Sequence, residues 1–121
     1  MNPVGWFEIP VKDMNRAMSF YQKSLNLEMS MQEMDGVKMA MFPMEEKSAG
    51  AAGSLVKSSE SKPSHDGSLV YFSVESIEQT LERVRSNGGK VLKPKESIGK
   101  YGFIASFEDP EGNRVALHSM H

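Results

Sequence analysis

The 121-residue chain contains no cysteine. That excludes disulfides, thiolate metal ligands and a cysteine nucleophile. No apolar run approaches the roughly 20 residues needed to cross a bilayer. The opening Met1-Asn2-Pro3-Val4-Gly5 lacks the basic and apolar segments of a secretion signal. A cytoplasmic location, without membrane contact, is the expectation. Neither sign of charge dominates, since 14 basic residues face 16 acidic ones for a formal net charge of −2. Lys and Arg are scattered along the chain, so nucleic acid is not an expected partner. No phosphate-binding glycine loop joins a strand to a helix, and no Ser-His-Asp arrangement can be argued.

Hydrophobic residues make up 39% of the chain and charged residues 25%, the balance of one globular domain over 1–121. The ten methionines form no block and read as adaptable core filler. Trp6 to Val11 alternates as a strand, with Phe7, Ile9 and Val11 on one face and Trp6 and Glu8 on the other. Asp13 occupies a helix N-cap position, and Met14, Ala17, Met18 and Tyr21 follow with helical spacing until Asn26. Leu27 to Gln32 and Val37 to Phe42 read as paired strands about Met34-Asp35-Gly36, and Ala51 to Lys57 as a weaker strand.

A polar connection at 58–67 leads into a second half with the same plan. Leu69 to Val74 is a strand, and Ser76 with Gln79 forms a capping box. Ile77, Thr80, Leu81 and Val84 give the helical stripe, and Asn87-Gly88-Gly89 ends it. Strands follow at Lys90–Leu92, Gly102–Phe107 and Asn113–Ser119, with Lys93-Pro94-Lys95 and Ile98 to Gly102 placed in a loop. One offset of 63 carries Val11 to Val74, Met14 to Ile77, Ala17 to Thr80, Met18 to Leu81 and Tyr21 to Val84. A shared offset for strand, cap and stripe indicates a duplicated unit. The expected fold is α+β: two tandem βαβββ modules, at 5–57 and 68–119, forming a curved mixed sheet around an open pocket. The helices lie on the outer face.

Phe7-Glu8-Ile9-Pro10-Val11-Lys12-Asp13-Met14, with Arg16-Ala17 and Phe20-Tyr21, resembles the opening motif of vicinal-oxygen-chelate proteins. These include glyoxalase I, bleomycin-resistance proteins and dioxygenases. Asn87-Gly88-Gly89-Lys90-Val91 and the closing Phe107-Glu108-Asp109-Pro110-Glu111-Gly112-Asn113 are similar to the same family. The resemblance implies paired βαβββ modules, a trough for a small molecule, and a homodimer. In metal-dependent members it implies His or Glu ligands at four strand positions. Carried over by motif, these fall on Trp6, Leu69, Ala116 and the neighbourhood of Gly53 and Ser54. None of these residues can supply the carboxylate or imidazole that a divalent ion requires. Neither a metal nor another cofactor is therefore expected.

Alternation predicts that Trp6, Glu8, Leu69, Tyr71, Ser73, Arg114, Ala116 and His118 face the trough. Glu8 and His118 are the catalytic candidates, as a carboxylate and an imidazole able to share proton work. Each has a structural alternative, a hydrogen bond or ion pair (to Arg114 or His118) for Glu8 or a satisfied chain-end imidazole for His118. Trp6, Tyr71, Leu69, Arg114, Ala116 and the loop residue Tyr101 are the candidate ligand contacts. Isolated His65 and His121 are not expected to bind metal. The leading expectation is a metal-independent small-molecule-binding protein, or a metal-free lyase or isomerase of unspecified substrate. A metal-dependent lyase or dioxygenase of the same family and a non-catalytic partner-binding module are the alternatives.

Overall fold

Asp13 starts the first helix: its carboxylate accepts from the Arg16 amide at 3.0 Å, and α1 runs Met14–Leu25. Asn26 ends it in the left-handed region, φ 55°, returning its amide to the Gln22 carbonyl. Ser76 does the same work for α2, Ile77–Ser86, accepting from the Gln79 amide at 3.2 Å. Both caps and both first helical residues are 63 positions apart. The buried stripe of α2 is Ile77, Thr80, Leu81 and Val84, as its spacing predicts. In α1 Phe20 is buried and packs edge-on against Tyr21, with centroids 4.9 Å apart, and Met18, expected in the stripe, is only half-buried. This computed structural model describes residues 2–121 apart from the Met34 side chain; Met1, counted above in the opening segment, lies outside them.

The strands of the first module are β1 (Trp6–Pro10), β2 (Ser30–Met34), β3 (Val37–Met41) and β4 (Ala52–Lys57), in sheet order β1-β4-β3-β2. Those of the second are β5 (Tyr71–Ser73), β6 (Lys90–Ser97), β7 (Phe103–Glu108) and β8 (Arg114–Ser119), in order β5-β8-β7-β6. In each sheet the first strand pairs in parallel with the last, and the others pair antiparallel. The fold is therefore α+β, a duplicated βαβββ unit whose two mixed sheets stay open.

Several elements differ from the sequence-based expectation. β5 spans only Tyr71–Ser73, where it pairs with β8, so Leu69, Val70 and Val74 lie outside the strand expected over Leu69–Val74. β2 begins at Ser30 rather than Leu27 and runs through Met34, whose register partner is Val37. β6 extends through Ser97 and takes in Lys93-Pro94-Lys95, where the sequence predicts a loop. Pro94 is tolerated because β6 is an edge strand and its pairing with β7 slips register on both sides of Lys93. The weak candidate Ala51–Lys57 is a central strand, paired with both β1 and β3. Its Gly53 leaves room for a neighbour: an added Cβ would lie 2.5 Å from the Phe7 ring and from the Phe7 carbonyl.

A shared core joins the modules. The Phe7 ring of β1 meets Phe72 of β5 edge-on, at 5.8 Å between centroids, and Phe42 stacks at a tilt on Phe72 at 5.2 Å. A polar staple adds direction to this contact. The Glu111 side chain is fully buried and its Oε1 accepts from the amides of Lys12 and Asp13, at 2.7 and 2.8 Å. Its Oε2 accepts from Arg16 Nε at 2.6 Å. Buried Asp109 accepts from the Tyr21 hydroxyl at 2.6 Å, from the amides of Glu111 and Asn113, both at 2.9 Å, and from Asn113 Nδ2. Asn113 Nδ2 also donates to the Pro10 carbonyl at 2.7 Å. The closing turn of the second module thus holds the end of β1 and the start of α1.

These bonds shift the titrations of their members. Burial would raise the Glu111 carboxyl, but the Arg16 guanidinium and the two amides outweigh it and hold the group below its ordinary value. Burial, followed by the Asp109 carboxylate, pushes the Tyr21 phenol well above its ordinary value.

Candidate functional site

On β1, Phe7 and Ile9 turn toward the helices, and Trp6 and Glu8 turn away from them. Trp6 is 38% exposed and its Nε1 donates to the Glu8 carboxylate at 3.4 Å. On β8, Val115 and Leu117 are buried in the core while Arg114 is exposed. Tyr71 on β5 is 49% exposed, far more than a core tyrosine. β1 and β5 each pair on one side only, so both present a free edge.

Between these edges lies a cleft of about 680 Å³ lined by Trp6, Glu8, Leu69, Tyr71 and Arg114. That volume suits a small organic ligand. Two polar residues that the sequence did not single out, Lys62 and Ser64, share its wall. They belong to the 58–67 connection, and two non-local bonds hold Ser64 against the second module. The Ser64 amide donates to Asn113 Oδ1 at 3.3 Å, and the Arg114 amide donates to the Ser64 carbonyl at 3.3 Å. A smaller recess of about 200 Å³ adjoins the cleft through Leu69, Tyr71 and Arg114 and is floored by Ala116.

The two remaining candidates lie apart from this cleft. His118 Nε2 donates to the Tyr101 carbonyl at 2.6 Å and thereby fastens the short helical turn Gly99–Tyr101 to β8. Glu8 and His118 share no hydrogen bond, and neither His118 nor Tyr101 lines the cleft. Among the described residues, no ion pair within 4.0 Å involves Glu8 or Arg114. The cleft therefore holds one carboxylate and two cations, Arg114 and Lys62, with no salt bridge among them.

The residues present do not fit a divalent metal. At the positions that the resemblance implies for metal ligands, Trp6, Leu69 and Ala116 offer no coordinating side-chain atom, and Gly53 has no side chain. Ser54 offers a lone hydroxyl, buried and without a hydrogen-bond partner. Among the described residues, no group of three or more His, Cys, Asp or Glu side chains is placed to hold a metal ion.

The fold and this cleft can be set beside known proteins. The profile of the Glyoxalase/Bleomycin resistance protein/Dioxygenase superfamily matches residues 4–117. The chain belongs to this superfamily. Solved structures agree in fold. A glyoxalase I mutant from Zea mays superposes with a TM-score of 0.75 at 22% identity, covering 98% of this chain and 47% of the maize protein. The chain therefore spans about half the length of that relative. A glyoxylase/bleomycin resistance protein/dioxygenase domain from a Frankia species gives a TM-score of 0.75 at 18% identity, with 98% of both chains covered. A glyoxalase/bleomycin resistance protein from a Streptomyces species gives 0.72 at 24% identity, covering 95% of this chain and 98% of the other. No curated protein matches. At these identities the likeness is one of fold, and superfamily membership does not by itself choose an activity. Nor do the described residues include a helix long and apolar enough to cross a membrane.

Proposed function

We propose that this superfamily member binds a small molecule, without a metal ion, in the cleft between β1 and β5. One observation carries the reading: two exposed aromatic rings and oppositely charged groups lacking salt bridges line a single cleft of about 680 Å³. Trp6 and Tyr71 would cover an apolar or planar part of the ligand. Glu8 would accept from its donor groups, and Arg114 would meet its acceptors. If the bound molecule reacts, Glu8 is the base within reach and the chemistry is that of a metal-free lyase or isomerase. His118 is then a positioning residue, since its Nε2 proton is committed to the Tyr101 carbonyl.

Absence of a converging donor set supports metal independence. The test is elemental analysis of untagged protein together with a thermal-shift screen of small molecules. Metal near one equivalent would overturn metal independence. A hit whose stabilisation disappears in Glu8→Gln or Arg114→Ala supports the cleft, and a hit indifferent to both places binding elsewhere. The homodimer is part of the same proposal: two copies would supply the length of the maize relative, which one copy covers only to 47%. Sedimentation equilibrium checks it, and a monomer at micromolar concentration would remove it.

A further inference from the structure

Lysines scattered through the sequence gather at the far end of the first sheet. Lys12, Lys38, Lys57 and Lys62 line one open depression of about 660 Å³, together with Ser58, Ser59 and Ser61. No acidic side chain lines it. This is unexpected for a chain whose formal charge is −2.

Strand register makes the arrangement more pointed. Lys38 of β3 and Lys57 of β4 are direct cross-strand partners on one face. Like charges directly opposite one another in a sheet oppose folding. Glu33 of β2 pairs with Lys38 on its other side, and Lys57, on β4, has no acidic partner in the register. Among the described residues, the ammonium group of none of the four lysines lies within 4.0 Å of a carboxylate, although the Lys12 backbone amide donates to Glu111. The one ion pair nearby belongs to Arg16 and Glu111, and Glu111 is used by the staple.

We propose that this depression is a binding site for a small phosphoryl-bearing anion of two or more negative charges. Four ammonium groups are point charges with several rotatable donors each, and serine hydroxyls add neutral donors. Tetrahedral phosphoryl oxygens suit such a set. Lysine binds phosphate as a point charge, and a phosphoryl group concentrates up to two negative charges on one centre where a carboxylate carries one. Bound anion would remove the Lys38–Lys57 repulsion, so occupancy should stabilise the fold. Lys62 also lines the main cleft, which makes the two sites neighbours. Lys38 and Lys57 do not line that cleft, so variants at these positions test this site without touching the other.

The experiment is calorimetric titration of the full chain with inorganic pyrophosphate and tripolyphosphate, with citrate as a polycarboxylate of comparable charge. Thermal melts are run on the same samples. The expected result is saturable binding of both phosphates, at least tenfold tighter than citrate and weakening as salt rises. Lys38→Gln/Lys57→Gln should lower phosphate affinity at least tenfold. Without anion, the same variant should melt no lower than the parent, because it relieves a repulsion. Absence of saturable binding, or citrate binding as tightly as pyrophosphate, would overturn the proposal. So would an affinity unchanged in the double variant. A variant that melts several degrees lower without anion would show the lysines to be structural, and would overturn it equally.

Discussion

Replacing Glu111 by alanine tests the idea that the closing turn of the second module holds the first. One oxygen of Glu111 serves two backbone amides, those of Lys12 and Asp13, at the entry to α1. Truncation leaves both donors without their acceptor in a partly buried site, at about 1 to 1.5 kcal/mol each. The Arg16 contact adds little, because half of that side chain is in water and solvent screens it. The expected loss is therefore about 2 to 3 kcal/mol, a fall in Tm of the order of 10 °C for a domain of this size. Glu111→Gln keeps the oxygen that both amides use and should retain most of the stability. Urea unfolding of the three proteins gives the free energies, and amide exchange gives the location. Lys12 and Asp13 should lose protection in the alanine variant alone. Equal losses for alanine and glutamine, or unchanged exchange at these amides, would refute the reasoning.

The same staple should respond to pH in two windows. Because the folded Glu111 carboxyl is held below its ordinary value of 4.5, its contribution is present above that pH and fades as pH falls below it. Acid titration of stability should therefore be shallower in Glu111→Gln than in the parent. The Tyr21 phenol is pushed above its ordinary value of 10.0, so its contribution is full below pH 10 and is lost as pH rises beyond. Tyr21→Phe should cost about 1 to 2 kcal/mol at neutral pH and flatten the alkaline arm, as measured by denaturant unfolding at each pH. Gly53→Ala should destabilise by about 1 to 3 kcal/mol, since the new methyl group collides with Phe7 ring and backbone; a neutral melt would disprove that contact. Glu8→Gln and Arg114→Ala should leave stability within about 0.5 kcal/mol, because both are exposed surface residues. Each should weaken the cleft's ligand about tenfold, read by titration calorimetry once a screen has supplied one.

Legibility from sequence followed the range of the interactions concerned. Asp13 and Ser76 could be read as caps because a cap reaches only three residues along the chain. The placing of Trp6 and Glu8 opposite Ile9 followed from a strand period of two. β6 was misread at Pro94 because a proline's cost depends on whether the strand has a second neighbour, which local sequence does not state. The motif around Asp109, Glu111 and Asn113 could be seen as a turn. Its action on Tyr21, Lys12, Asp13 and Pro10, some 90 to 100 residues away, could not.

Local pattern by itself determined the two helices, their caps and the alternating faces of the strands, all set by neighbours within a few residues, and the recurrence of that pattern at an offset of 63 showed the duplication. Tertiary structure decided which of the inward-facing side chains share a cavity and what joins them there. It brought Lys62 and Ser64 beside Glu8 and Arg114, and it tied His118 to Tyr101 away from Glu8. It also drew Lys12, Lys38, Lys57 and Lys62 into one depression. A strand's period says which face a residue takes, but the register of pairing and the path of a connecting loop say what it meets there.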